Sequence, residues 1–220
     1  MAENESGSSL SQAAYERIKQ QIVSLQLAPG AVIDEATLQA ELNLGRTPIR
    51  EALKRLSLEK LVNIVPRRGM FVTDIGVMDL HYLFEVRVPL ESLAARLATQ
   101  RGTGQHWAQM SAALAQIPPQ GIPLANETLI QIDRTCHEIV YQATANKFLQ
   151  DTLVTMYTLS LRLWYYALAQ ITDMRSAVLE HAAILNALEQ GQADEAARLT
   201  ERHIRSFQDE IQAAMLGKSQ

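Results

Sequence analysis

A chain of 220 residues with 47% hydrophobic and 20% charged side chains can bury one large core or two small ones, which excludes a disordered or low-complexity polypeptide. Its formal net charge of −4 argues against a uniformly basic nucleic-acid binder and moves attention to local charge. The single cysteine, Cys136, excludes an intrachain disulfide and fits a reducing compartment.

Residues 1–12 are expected to form a polar, disordered tip. The opening MAENESGSSLSQ has neither the apolar centre nor the basic flank of a secretory signal. No apolar run approaches the roughly 20 residues that cross a bilayer, so the expected location is the cytoplasm, with no membrane partner. Ala14, Ile18, Ile22 and Leu25 recur at helical spacing until Ala28-Pro29-Gly30 stops the helix. Asp34 is the expected N-cap of a second helix, with Leu38 and Leu42 on its inner face. Asn43-Leu44-Gly45 makes a tight break. A third helix is expected to open with Thr47 as N-cap and Pro48 at the first helical position. Beyond Leu61, the β-prone runs Val62–Val65 and Met70–Thr73 flank Pro66-Arg67-Arg68-Gly69 and predict a hairpin with two arginines at its tip.

From Arg46 to Arg68 the basic residues are Arg46, Arg50, Lys54, Arg55, Lys60, Arg67 and Arg68, against Glu51 and Glu59. Asp74-Ile75-Gly76 serves as a linker. Helical periodicity then fills the chain near residues 78–100, 104–116, 125–145, 147–170, 173–190 and 193–215. The expected fold is mainly α: an N-terminal winged helix-turn-helix over 13–75 with a small β-hairpin wing, then a C-terminal all-α six-helix bundle over 78–220.

In a helix-turn-helix, the start of the second helix faces base edges and phosphates. That position holds Arg46, Thr47 and Arg50. Either arginine can clamp guanine O6 and N7, while the free N–H groups and the Thr47 hydroxyl suit a phosphate. Arg67, Arg68 and Gly69 form the wing tip, where the bare glycine lets the backbone approach a groove. Singly, these arginines read as a solvated face. Turn, basic helix start and basic wing in this order read as a DNA-binding module. The run PGAVIDEATLQAELNLGRTPIREALKRLSLEKLVNIVPRRGMFV resembles the DNA-binding domain of GntR-type bacterial transcription regulators, with RTPIREAL followed by PRRGMFV as the specific pairing. Asn43 stands where that family usually has Gly, and Gly45 where it usually has Ser or Thr.

All five histidines of the chain fall in the helical domain. Asp133 and His137 lie one helical turn apart on one face, and His181 and His203 lie beside apolar faces of two later helices. Bundles build metal sites from such side chains on facing helices. Hydrogen-bonded packing is the competing reading, and residue types alone leave both open. Three imidazoles and one carboxylate suit a divalent transition metal, zinc or nickel, better than calcium or magnesium. His81 and His106 are assigned to the surface.

The domain is also similar to the ligand-binding domain of the FadR subfamily of GntR regulators, and its six helices look like the VanR group. Many members carry an Asp-x3-His pair, a His on the penultimate helix and a His on the last. The resemblance implies a metal at Asp133, His137, His181 and His203, with EHxxIL and RHI around the last two. It implies a small organic acid effector, and an arginine in LFEVRVPLESLAARLA as its partner, which points to Arg87. A salt bridge from Arg87 to Glu91 is the alternative for that residue. Arg134 and Arg162 are further effector-binding candidates.

The function expected is a ligand-responsive transcriptional regulator, a repressor by family habit. It would act as a homodimer on a palindromic operator. Two alternatives remain: a metal-dependent hydrolase-type enzyme, for which no carboxylate or histidine at a regular offset offers a general base, and a DNA-binding regulator with a purely structural metal.

Overall fold

The computed structural model describes residues 2–167 and 174–217. The chain divides into two compact units, Met1–Gly76 with Leu161–Tyr166, and Val77–Ser160 with Ala167–Gln220.

In the first unit, α1 (Ala2–Val23) packs against α3 (Arg46–Leu58). Ala14, Ile18 and Ile22 are fully buried. The helix extends back through the segment expected to be a disordered tip. That stretch contains no proline, and an established helix adds further residues at little cost. Leu25 lies past the helix end with a positive φ of 62°, so it ends the apolar series rather than continuing it.

α2 (Glu35–Leu42) starts at Asp34, whose carboxylate accepts the Ala36 N–H at 2.9 Å, and buries Leu38 and Leu42. Asn43 adopts the left-handed conformation that closes the turn. The N-cap of α3 is Gly45, not Thr47. The helix begins earlier than expected because the first-turn N–H groups lack intrahelical partners anyway, so Pro48 is tolerated inside that turn. Ile49, Ala52, Leu53 and Leu56 form the inner face of α3.

The wing is an antiparallel pair, β1 (Val62–Val65) and β2 (Gly69–Val72), with Val62 opposite Val72 and Val65 opposite Gly69. Its turn needs left-handed backbone at Arg67 (φ 63°) and again at Gly69 (φ 114°). The segment before α2 adds a strand-like edge: Val72 N–H donates to the Ala31 carbonyl at 2.9 Å and Ile33 N–H to the Met70 carbonyl at 2.8 Å.

The second unit contains α4 (Val77–Arg101), α5 (Gly104–Leu114), α6 (Asn126–Ala143), most of α7 (Lys147–Ala167), α8 (Met174–Leu179), α9 (His181–Glu189) and α10 (Ala193–Gly217). The helix expected over 173–190 is interrupted at Glu180, giving α8 and α9. The expected helix boundaries at 170 and 173 lie outside the described residues. α10 packs along α4, with Phe84, Ile204, Phe207 and Ile211 buried. His81 is exposed, and His106 caps α5 by accepting the Thr103 N–H at 3.0 Å. No helix among the described residues is long and apolar enough to cross a membrane.

Candidate metal centre and nucleic-acid interface

Asp133 and His137 project from consecutive turns of α6, His181 is the first residue of α9, and His203 lies in α10. All four are buried, and each offers a donor atom within 4.8 Å of the others. His137 Nε2 is 3.8 Å from Asp133 Oδ2, and His203 Nε2 is 3.8 Å from Asp133 Oδ1. His181 Nδ1 is also 3.8 Å from Oδ1. These separations exceed a hydrogen bond. In a tetrahedron of roughly 2.1 Å bonds, donors stand about 3.4 Å apart, so donors that now lie within 4.8 Å of one another would draw together by up to about 1.4 Å on closing round an ion.

The outer edges of the rings are held. His203 Nδ1 meets Glu180 Oε2 at 2.9 Å, His137 Nδ1 meets Glu91 Oε2 at 3.3 Å, and His181 Nδ1 meets the Val178 carbonyl at 3.1 Å. Tyr157 donates its hydroxyl to Asp133 Oδ2 at 2.7 Å. A ring whose Nδ1–H is engaged by a carbonyl or carboxylate offers Nε2 as a ligand, and such outer partners are the usual support of a metal-binding histidine. His181 Nε2 is buried without any hydrogen-bond partner. Hydrogen-bonded packing leaves that atom unexplained, because an orphaned buried polar group is costly; an electron-pair acceptor at this point would satisfy it. The donor set therefore fits a divalent transition metal.

The electrostatics agree. Burial, reinforced by the neighbouring His203 imidazole, pushes His181 down to about 3, so this ring is unprotonated at neutral pH. Burial opposes ionisation of Asp133, but His137, His181, His203 and the Tyr157 hydroxyl together hold its carboxyl below the usual range. The hydrogen bond from His203 lowers Glu180 in the same sense.

Arg87 is brought to the edge of this cluster. It is 2% exposed and gives its Nε–H to Glu91 Oε1 at 2.9 Å. Glu91 is 0% exposed; besides facing His137, it accepts the Tyr141 hydroxyl at 2.5 Å. Burial works against the Glu91 carboxylate, yet His137 and Arg87 hold its pKa well below the ordinary range. The Arg87 guanidinium lies 5.2 Å from the Tyr157 ring centroid and 5.6 Å from that of Phe84. The salt-bridge alternative for Arg87 is thus realised, and it links Arg87 to His137 through one carboxylate.

The other two arginines are elsewhere. Arg134, one residue past Asp133 and so rotated about 100° around the helix, is exposed and pairs with Glu138 at 2.7 Å. Arg162 falls in the α7 stretch that groups with the first unit, where its Nη2 donates to the Thr73 carbonyl.

Sequence reasoning missed Tyr141, Tyr157 and Glu180 and did not connect Glu91 to His137. Tyr141 follows His137 by one turn and Glu180 directly precedes His181, and both signals are present in the sequence. Nothing in the spacing points to Tyr157.

In the first unit Arg46, Thr47 and Arg50 are exposed at the start of α3, and Arg67, Arg68 and Gly69 are exposed at the wing tip. Glu35 reaches from the first turn of α2 to the arginines. Its Oε2 accepts Arg50 Nε–H at 2.7 Å and stands 3.5 Å from Arg46 Nε.

Two family profiles match the chain: "Bacterial regulatory proteins, gntR family" over residues 10–72 and "FCD domain" over residues 82–206. Among its relatives, the Nta operon transcriptional regulator of Aminobacter aminovorans is 31% identical over 189 residues, spanning 86% of this chain and 88% of the relative. The HTH-type transcriptional repressor RspR of Escherichia coli (strain K12) is 23% identical, spanning 92% of this chain and 89% of the relative. These relatives are transcriptional regulators, not enzymes. The fold is similar to that of E. coli McbR/YncC, with TM-score 0.77 and 21% identity over 90% of this chain and 94% of that one. It is also similar to a GntR-family transcriptional regulator from Pseudomonas syringae pv. tomato str. DC3000, with TM-score 0.55 and 18% identity over 96% and 87% of the two chains. With a DNA-binding profile over its winged helix-turn-helix and an FCD profile over its helical domain, this chain belongs to the GntR family of bacterial regulatory proteins and is a DNA-binding transcriptional regulator.

Proposed function

We propose that this regulator binds one divalent transition metal, zinc by preference and nickel next, through Asp133, His137, His181 and His203, and that a small carboxylate effector bound beside it modulates operator binding. The observation that carries the reading is the set of buried donors facing one another without hydrogen bonding, with His181 Nε2 left partnerless. When bound, the metal supplies a fixed positive charge that attracts carboxylate oxygens. The chain's own groups supply the rest. Asp133 offsets part of that charge, and Tyr157 orients Asp133. Arg87, paired with Glu91 through Nε and hydrogen-bonded to Tyr141, would add a second positive charge for an effector carboxylate.

Operator binding is assigned to Arg46, Thr47 and Arg50 in the major groove and to Arg67, Arg68 and Gly69 at the wing, in the cytoplasm where DNA is accessible. The protein acts as a homodimer on a palindromic site. Met78, Tyr82, Val86 and Leu93, apolar residues exposed at helical spacing on α4, support pairing with a second copy. Repression relieved by the effector is the mode we favour, since the similar RspR is named a repressor; coupling between effector and DNA sites would be about 1–3 kcal/mol.

The test is a DNA-binding titration on sites selected by the protein from a random duplex library, with a panel of small carboxylates, with and without chelator. Release by one carboxylate that requires metal supports the proposal. Metal-dependent folding with no response to any carboxylate favours a purely structural metal, the reading to which the engagement of Arg87 by Glu91 lends weight.

A further inference from the structure

Arg46 and Arg50 stand one turn apart on the same face of α3, so their like charges repel. Glu35 lies between them. Its side chain is 19% exposed, whereas those of Arg46 and Arg50 are 66% and 54% exposed. A largely covered carboxylate on one helix therefore grips the stem-side nitrogen of a solvent-facing arginine on the next. The hydrogen bond from Arg50 holds the Glu35 carboxyl below its usual range, so the pair is ionised in any DNA-binding buffer. Glu35 is itself fixed at the base, since it follows the Asp34 cap in the first turn of α2.

This geometry restricts what Arg50 can do. A guanidinium has five N–H donors on two usable edges. With Nε–H committed to Glu35 at 2.7 Å, the edge formed by the two terminal nitrogens is the one left for a pair of acceptors such as guanine O6 and N7. An unrestrained arginine can instead swing to a phosphate, which carries no sequence information. A carboxylate at this place repels phosphate and the acceptor edge of a purine, so it also raises the cost of wrong registers.

We infer that Glu35 is a specificity-determining positioning residue: it orients the Arg50 guanidinium end-on toward a base edge and keeps it off the phosphates. This rests on the proposed reading that Arg50 contacts a base, and its test separates the two. Sites are selected by the full chain from a random-sequence duplex library, and affinities for every single-base variant are measured with wild type, Glu35→Ala, Glu35→Gln, Arg50→Ala and Glu35→Ala/Arg50→Ala. Melting curves confirm that each is folded.

Glu35→Ala should lower base preference on the order of tenfold at the one position per half-site that also depends on Arg50. It should at the same time raise affinity for random-sequence duplex, because a negative charge has left the DNA face. Glu35→Gln, which keeps an acceptor for Nε–H, should retain more of the preference. In the Arg50→Ala background, Glu35→Ala should change base preference no further. If Glu35→Ala leaves the Arg50-dependent preference intact, the inference fails while the Arg50 reading stands. If its loss persists in the Arg50→Ala background, Glu35 has a general structural role and the inference also fails. If Arg50→Ala alone alters no position, base reading by Arg50 fails and the inference goes with it.

Discussion

Glu91→Ala would strand Arg87, a guanidinium 2% exposed and paired at 2.9 Å with the carboxylate that is removed. Coulomb attraction alone does not set the cost, because forming a buried pair also desolvates both ions. Removing one partner instead leaves an uncompensated charge inside the domain, which costs about 3–5 kcal/mol. The Tyr141 hydroxyl and His137 Nδ1 lose the same acceptor, which adds to the loss. For a chain of this size that corresponds to a fall in melting temperature of roughly 10 °C. The assay is thermal and urea unfolding of the chelated protein, run beside Arg87→Met/Glu91→Leu. The double variant leaves no stranded charge and should recover most of the stability. It should still bind zinc about 10–100-fold more weakly than wild type, because His137 has lost its outer carboxylate. A destabilisation by Glu91→Ala below about 1 kcal/mol, the size typical of an exposed ion pair, would mean that Arg87 is not left as an uncompensated buried charge. A double variant as unstable as the single one would show that the missing hydrogen bonds and packing, not a stranded charge, set the cost.

Arg67→Ala and Arg68→Ala should weaken binding about equally to selected and random duplexes. Each should also flatten the salt dependence by roughly one unit of slope, as expected when one phosphate is no longer neutralised, measured by fluorescence anisotropy across salt. Loss of preference at a single base position would instead make the wing a base reader. Asp34, held below the usual carboxyl range by the Thr37 hydroxyl and then the Ala36 N–H, should contribute capping stability that is full above its unfolded value of about 3.9 and is lost as pH falls through the lower folded value. In melting curves against pH, Asp34→Asn should therefore flatten the acid limb; an unchanged limb would remove Asp34 from it.

Much of the metal cluster is legible in the sequence because helical periodicity is a strong signal. Asp133 and His137 have to share a face of α6, and His203 has to lie beside the apolar stripe containing Ile204 and Phe207. The break at Glu180 is not legible, since no Gly or Pro marks it. Nevertheless, it makes His181 the first residue of α9 and lies where Glu180 faces His203. Tyr157 and Glu91 come to the cluster through helix packing across 24 and 46 residues of sequence, which no local pattern encodes. At the DNA end the turn and wing follow from Asn43 and the Pro-Arg-Arg-Gly tip. Thr47 is the cap expected from sequence because its hydroxyl is the better capping group, whereas the chain begins the helix at Gly45 without one. The strand-like edge at 31–33 is hidden by its length, too short for alternation to register.

Whether Asp133, His137, His181 and His203 hold a metal is decided by a zinc titration of chelator-treated protein with elemental analysis, for wild type and His181→Ala. One ion per wild-type chain, with binding in His181→Ala weakened by about two orders of magnitude or abolished, is the result predicted for a nitrogen-rich site losing a ligand. Wild-type protein that takes up no zinc or nickel at this site, or His181→Ala that binds as wild type does, would contradict it.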